Sequence, residues 1–193
     1  MDYTQFMNEC KAACRERNAC QAGYAELLRS ENVEQILTTV VHNWNDVYRS
    51  KYADIVAKNV TRWFDGLEAE FHAAGFYVNE ETDRGIAIVS HAERPLRFGG
   101  RARVYVFAKS HVIIQGSAQV YCRDAESEIE MFDESTGKIE AGRVWAHDWA
   151  TVESHGDCTC YDRTTVYAYG GTLTDHGHRR LQTADGLIIN NKE

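Results

Sequence analysis

The spacing of apolar residues divides the chain into a helical first part and a strand-rich second part. Through about residue 75, apolar residues recur at steps of three and four, which places them along one stripe of a helix. The clearest stripe covers about residues 32–47, and Asn32 can cap its start. A further stripe begins near Ser50 and stops at Gly75. Four helices are therefore predicted, and their short connections favour a small bundle.

The hydrophobic period changes at residues 76–90, where two short apolar runs flank a polar turn. This pattern predicts a β-hairpin. Pro95, the only proline, and the pair Gly99-Gly100 follow, so the junction between the two parts is expected there. The predicted domains are a helical bundle with this hairpin, a repeat region and a C-terminal tail, at residues 1–97, 98–180 and 181–193.

From residue 101 onwards a triplet recurs, with a small residue first and mostly a β-branched residue third, and the third positions return about every eight residues. A unit this short cannot bury its own apolar face, so successive units must stack as coils around a common core. Two or three units would complete one coil, which predicts roughly three to five coils. The predicted fold class is α+β, a small helical bundle plus hairpin followed by a short β-solenoid. A β-sandwich or meander is the alternative, because its strands have similar spacing.

Because side chains alternate along a strand, the triplets also predict which residues face the core. Their valines should stack inside: Val104, Val112, Val120, Val144, Val152 and Val166. The outward positions are unusually aromatic: Tyr105, Phe107, Tyr121, Trp145, Tyr161, Tyr167 and Tyr169. An exposed aromatic row usually marks a partner site. The helical part or the tail, which is apolar at Leu181 and Leu187, could instead fold over this row.

Two blocks of the repeat region resemble a known repeat. The segments at residues 150–157 and 165–170, ATVESHGD and TVYAYG, are similar to the octapeptide A-T-V-x-A-x-G-x of β-helical proteins from phages and mobile elements of gut bacteria. The resemblance is compositional and covers residues 100–178. It implies the solenoid fold and a mobile-element setting, and it implies no reaction.

The net charge of the chain makes some classes of binding partner less favourable than others. The net charge is −8, with 29 acidic against 21 basic residues, and an acidic protein repels both nucleic acid and anionic membranes. We therefore expect neither direct nucleic-acid binding nor membrane binding. Six cysteines without a secretory signal favour reduced thiols in a cytoplasm, that of a bacterium or of a phage-infected host cell.

Histidines and cysteines near the end of the repeats are candidate metal ligands, since zinc prefers imidazole and thiolate. The candidates are His147, His155, Cys158, Cys160, His176 and His178. The two cysteines take inward positions whereas His147 and His155 take outward ones, and the spacing matches no zinc motif. A cysteine–histidine nucleophile is disfavoured too, because Asp157 and Asp162 flank the thiols. We therefore expect no metal, no cofactor and no catalytic residue.

Three alternating carboxylates, Glu126, Glu128 and Glu130, should line one face of a strand. This row could bind Ca²⁺ or imitate the phosphate spacing of a nucleic acid, but a solvated acidic face is the simpler interpretation. Together with the aromatic positions it leads to the hypothesis of a non-enzymatic protein-binding module that inhibits a host nucleic-acid-handling defence complex. Two alternatives stay open: a structural solenoid that self-associates into a homo-oligomer, and a zinc-dependent enzyme.

Overall fold

The computed structural model describes residues 1–44, 47–48, 52–177, 180–183 and 188–191, with side chains up to residue 177. The chain forms two compact units, Met1–Val78 and Asn79–Glu193. The first unit is helical and the second is a β-solenoid of parallel strands. The predicted α+β class with a C-terminal solenoid is therefore confirmed.

The helical unit contains α1 (Tyr3–Glu16), α2 (Gln21–Arg29), α3 (Val33–His42), α4 (Ala53–Phe64) and α5 (Glu68–Ala73), followed by strand β1 (Phe76–Val78). Asn32 caps α3 as predicted, because its side-chain oxygen accepts a hydrogen bond from the Gln35 amide at 2.9 Å. The Gln35 side chain accepts a hydrogen bond from the Glu31 amide at 2.7 Å, which fixes the backbone of the residue before the cap. Within the described ranges, no helix has the length and apolar character needed to cross a membrane.

The stripe predicted as one helix ending at Gly75 is in fact two helices, α4 and α5. The break lies at Gly66, whose φ of 83° is in the left-handed region that favours glycine. A Cβ at this position would also lie 2.9 Å from the Met1 nitrogen. Met1 in turn donates a hydrogen bond to the Asp65 carbonyl at 3.2 Å, so the start of the chain packs against the break.

Aromatic rings form the core of the helical unit. Phe6 on α1, Phe71 on α5 and Phe76 on β1 are each at most 2% exposed. The ring of Phe6 lies edge-on to Trp63 of α4 with centroids 5.7 Å apart, and Phe71 contacts both Phe6 and Phe76. Each ring has its own partners and its own angle, so this core is irregular.

A charged cluster joins α1 to α4 beside this core. The Glu9 carboxylate accepts hydrogen bonds from Arg62 at 2.9 and 2.6 Å and from the Trp63 indole N–H. The Arg62 guanidinium lowers the pKa of Glu9 to about 2, with a smaller contribution from the Trp63 donor. Glu9 is therefore ionised at neutral pH and links the two helices.

The solenoid unit is a succession of strands of three or four residues. They are β2 (Ile86–Val89), β3 (Leu96–Phe98), β4 (Arg103–Val106), β5 (His111–Ile114), β6 (Gln119–Cys122), β7 (Glu128–Met131), β8 (Thr136–Ile139), β9 (Arg143–Ala146), β10 (Thr151–Ser154), β11 (Asp157–Cys160), β12 (Thr165–Ala168), β13 (Thr172–Asp175), β14 (Arg180–Thr183) and β15 (Ile188–Asn191).

These strands form two parallel sheets. The even-numbered strands from β2 to β14 pair with one another, and the odd-numbered strands from β3 to β15 do the same; we call these the even sheet and the odd sheet. Each coil therefore contributes one strand to each sheet. A meander would pair consecutive strands instead, so the sandwich or meander alternative is wrong.

Two repeat units make one coil. Along the even sheet Arg103 pairs with Gln119, and Thr136, Thr151 and Thr165 follow in register, at steps of 16, 17, 15 and 14 residues. The predicted period of about eight is therefore half a coil. The solenoid has about six turns rather than the predicted three to five, because its sheets extend beyond the expected repeat region at both ends.

The predicted domain boundaries are wrong at both ends of the solenoid. The strand Ile86–Val89, which was predicted to belong to the first part, pairs in parallel with β4 and therefore belongs to the even sheet. The unit boundary accordingly lies at Val78, before the expected junction at Gly99-Gly100. In the expected tail, β14 and β15 continue the two sheets. The apolar period of a hairpin strand does not differ from that of a solenoid strand, so sequence could not separate them.

The solenoid core is one continuous stack, as the triplets predict. The six inward valines named above are each at most 1% exposed. Small residues occupy the buried position just before β4, β6, β8, β10 and β12, and these are Ala102, Ala118, Ser135, Ala150 and Thr164, all 0% exposed. Small side chains let the chain turn closely over the core at each of these positions.

Candidate binding surfaces at the solenoid corners

The outward aromatic residues do not form one row. Tyr105, Tyr121 and Tyr167 lie on the even sheet, Trp145 lies on the odd sheet, and Tyr161 lies in a turn. Inward-facing and outward-facing side chains alternate within each strand, as predicted. The coil nevertheless turns the chain between strands, so residues with the same alternation face different directions.

Even on the even sheet the aromatic residues are interrupted. The rings of Tyr105 and Tyr121 stack with centroids 4.8 Å apart and 5° between their planes. In register, Lys138 and Glu153 come next and form an ion pair, and only then does Tyr167 follow. Tyr105 is only 4% exposed despite its outward position. The prediction of a contiguous aromatic row is therefore wrong.

One set of turns, those leading from an odd to an even strand, repeats an aromatic–aspartate pair; we call it the aspartate corner. Asp133, Asp148 and Asp162 have φ values of 56°, 56° and 52°, in the left-handed region that aspartate tolerates. The Oδ2 atom of each accepts a hydrogen bond from the preceding coil, from the amides of Gly116, Asp133 and Asp148 at 2.8, 3.1 and 3.4 Å. The carboxylates thus tie each turn to the turn before it.

The aromatic residue before each aspartate stacks with its equivalent in the next coil, and His176, which precedes a glycine, continues the stack. Phe132, His147, Tyr161 and His176 form one column with centroids 4.8, 4.5 and 4.9 Å apart and planes within 7° of parallel. This spacing matches the separation of neighbouring strands in a sheet, about 4.8 Å. Both faces of Tyr161 are covered by other rings, so only its edge is left for a partner.

Trp149 follows Asp148 at the aspartate corner and stands outside the column. It is 57% exposed, and the Arg163 guanidinium carbon lies over its ring, 4.7 Å from the centroid. A shallow depression of about 520 Å³ surrounds this pair, lined by Asp148, Trp149, Asp162, Arg163, His176 and Gly177. Neither Trp149 nor Arg163 was predicted as a site residue. The repeated aromatic–aspartate pair was the signal in the sequence that would have located this corner.

The opposite turns, those leading from an even to an odd strand, form what we call the glycine corner. A Cβ on Gly156 would lie 2.2 Å from the Gly142 carbonyl oxygen, and one on Gly171 would lie 2.5 Å from the Gly156 carbonyl carbon. Stacked glycines therefore let the coils approach closely. Tyr169 lies at this corner, 51% exposed, with its ring stacked on His155 at 5.2 Å. Phe107 occupies the equivalent turn after β4, half-buried.

The predicted acidic row is matched by basic side chains. Glu128 pairs with Arg143 at 2.6 Å, and Glu130 pairs with the His111 imidazole at 2.6 Å. Glu126 lies 3.2 Å from the Lys109 ammonium. The row therefore offers less unpaired negative charge than the sequence suggests.

The candidate metal ligands are not brought together. Cys158 and Cys160 are buried in the solenoid core, whereas His147 and His176 belong to the aromatic column and are separated by Tyr161. His155 lies at the opposite corner, and His178 lies outside the described residues. Among the described residues, no group of three or more His, Cys, Asp and Glu side chains is arranged to hold a metal ion.

The buried thiols of both units are poor nucleophiles. Burial raises the pKa of Cys10 to about 12 and that of Cys122 to about 11. Both are therefore protonated at neutral pH, and the thiolate is the reactive form. None of the six cysteines, all of which lie in the described part of the chain, forms a disulfide bond.

Comparison of the chain with protein-family models, with curated proteins and with solved structures finds no match.

Proposed function

We propose that this chain is a protein-binding module whose contact surface is the tyrosine edge, which consists of Tyr167, Tyr169 and His155. The observation that carries the proposal is the state of Tyr169, which is 51% exposed although its ring is stacked against His155. Tyr167 lies two residues earlier, at an outward, half-buried position of β12. Tyrosine is enriched at protein interfaces, where one end of the ring is buried and the hydroxyl keeps a polar partner.

Stacking makes Tyr169 a suitable anchor for a partner. A side chain that is already held in one position loses little conformational entropy when a partner binds. Burial of its exposed ring would then contribute about 25 cal/mol for each Å² of apolar surface removed from water. Aromatic anchors of this kind often dominate the energy of an interface.

We further propose that the partner presents a basic surface. A net charge of −8 opposes binding to phosphate backbones and favours association with surfaces rich in Lys and Arg. A host nucleic-acid-handling complex of bacterial defence is a partner of this kind. The resemblance of the repeats to those of phage and mobile-element proteins supports that setting, with the protein acting in the cytoplasm of a bacterial host.

Photo-crosslinking of the full chain in bacterial cells tests the proposal. Benzoylphenylalanine replaces Thr165, an outward position of β12 next to the tyrosine edge, or Leu28 on α2, which is 50% exposed and serves as the matched control. We expect a heterologous adduct from position 165 that disappears with Tyr169→Ala, and no such adduct from position 28. Equal adducts from both positions, or none from position 165, contradict the proposal. An adduct of twice the chain mass would instead identify self-association.

The charge of the partner is tested in the lysate of the same cells. If the partner contacts the chain through a basic surface, the polyanion heparin should compete and reduce the adduct from position 165, and so should added salt. An adduct yield that does not change with heparin or with salt rules out a nucleic-acid-handling surface as the contact.

A further inference from the structure

The depression at the aspartate corner is a second surface, separate from the tyrosine edge. Its centre is Trp149, and its wall is formed by side chains of three successive coils, with Asp148, Asp162 and His176 as examples. Among the described residues Trp149 is the most exposed of the large apolar side chains. An indole ring that is left in water at a concave site is an obvious platform for a ligand with an apolar face.

The indole is held in place from one side. The guanidinium of Arg163 stacks over its ring at 4.7 Å, which limits the rotamers available to both side chains. More than half of the surface of Trp149 remains exposed beyond this contact. The platform is therefore ordered and accessible at the same time.

Hydrogen-bonding groups of both kinds surround the platform. Asp148 and Asp162 are fixed through their Oδ2 atoms by backbone amides, so each has its Oδ1 atom as a further acceptor. Arg163 presents N–H donors around the edge of its planar group. Within the described part of the chain, these three residues take part in none of the ion pairs.

This mixture selects the charge of the ligand. An anion would meet the carboxylates of Asp148 and Asp162, and a cation would meet the guanidinium of Arg163. Hydroxyl groups both donate and accept hydrogen bonds, so a neutral polyol satisfies carboxylate and guanidinium together. A pyranose ring adds a face of C–H groups that can lie on the indole.

We infer that the aspartate corner binds a neutral saccharide, with a pyranose ring stacked on Trp149 and its hydroxyls hydrogen-bonded to Asp148, Asp162 and Arg163. A volume of about 520 Å³ lies within the range of ligand sites, about 300–1,000 Å³. Because the depression is shallow, the rest of a longer glycan can continue into solvent. This activity is additional to protein binding and uses the opposite corner of the coil.

The experiment measures binding of the purified full chain to an array of neutral oligosaccharides built from glucose, galactose, mannose or N-acetylglucosamine. Heparin and a polylysine peptide serve as the anionic and cationic probes. We expect one class of neutral oligosaccharide to bind, with at least about a tenfold loss of affinity in Trp149→Ala and in Asp162→Asn. Leu28→Ala, at a half-exposed position outside both surfaces, is the control and should bind as the unmodified chain does.

A second set of variants distinguishes a loss of binding from misfolding of the chain. Trp149→Phe keeps an aromatic face, so it should retain part of the affinity while its circular dichroism spectrum and Tm stay unchanged. Arg163→Ala, which removes donors and the stacking contact, should weaken binding. If no neutral oligosaccharide binds, if only heparin or polylysine binds, or if Trp149→Ala binds as well as Leu28→Ala, the saccharide site is refuted.

Discussion

The helical unit and the solenoid bury apolar surface in different ways. In the helical unit each core ring has its own partners, as the edge-on contact of Phe6 with Trp63 illustrates. In the solenoid, each core position lies on its equivalent in the next coil, as Val104 lies on Val120. A repeated position is constrained by the backbone about 4.8 Å away. Clearance from the neighbouring backbone should therefore decide which substitutions the solenoid tolerates. In the helical unit, the volume of the core side chains should decide this.

The largest effect is expected from adding a side chain where two coils meet. In Gly156→Val the new Cβ would lie 2.2 Å from the Gly142 carbonyl oxygen, a backbone atom that cannot move without moving the coil. We expect the solenoid to lose its cooperative unfolding transition, as followed by circular dichroism. Gly99→Ala is the control, because its Cβ would meet nothing within 4 Å. Equal stability of the two variants would contradict a limit set by backbone clearance.

The next effect is expected in the helical core. Phe6→Ala removes a ring that contacts both Trp63 and Phe71, and it should lower the free energy of unfolding of the helical unit by about 3–5 kcal/mol. Chemical denaturation followed by tryptophan fluorescence measures the loss. Leu28→Ala, at a half-exposed position, should change stability by less than about 0.5 kcal/mol. A small loss in Phe6→Ala would mean that this core is less specifically packed than the contacts indicate.

A smaller effect is expected at the aspartate corner. Asp148→Ala loses the hydrogen bond to the Asp133 amide and puts alanine at a positive φ, which together should cost about 1–3 kcal/mol. Asp148→Asn keeps an acceptor oxygen and tolerates the same backbone conformation, so its Tm should stay close to that of the unmodified chain. If both variants have the same Tm, the hydrogen bonds of the aspartate side chains at the aspartate corner do not stabilise the contact between coils.

The smallest effect is a pH dependence confined to the helical unit. The pKa of Glu9 is about 2 in the folded chain and near 4.5 when unfolded, so its contribution is present above pH 4.5 and decreases as the pH falls towards 2. Glu9→Gln should remove this part of the acid sensitivity, as measured by denaturant unfolding between pH 7 and pH 2.5. Glu31→Gln, an exposed control, should leave it in place. Identical pH profiles for the two variants would contradict the role of the Glu9–Arg62 pair.

The same contrast explains what sequence could and could not predict. The inward valines were identified because each repeat supplies the same pattern again. The break at Gly66, where φ is 83°, was missed because the apolar stripe continues across it from Trp63 to Phe71. The prediction of one aromatic row was wrong because the positions of Trp145 and Tyr161 depend on the number of strands in each coil, which the sequence pattern did not define. The Trp149–Arg163 pair was missed because the two residues lie in the turns of successive coils, so that their contact depends on the number of residues in a coil.

In the proposed function the tyrosine edge, and not the aspartate corner, contacts the protein partner. The most direct test of this contact is the yield of the photo-adduct from position 165 in two variants compared side by side. Tyr169→Ala should abolish the adduct, because it removes the exposed anchor, whereas Trp149→Ala should leave the yield unchanged. An adduct that survives Tyr169→Ala, or that is lost in Trp149→Ala, would contradict the account.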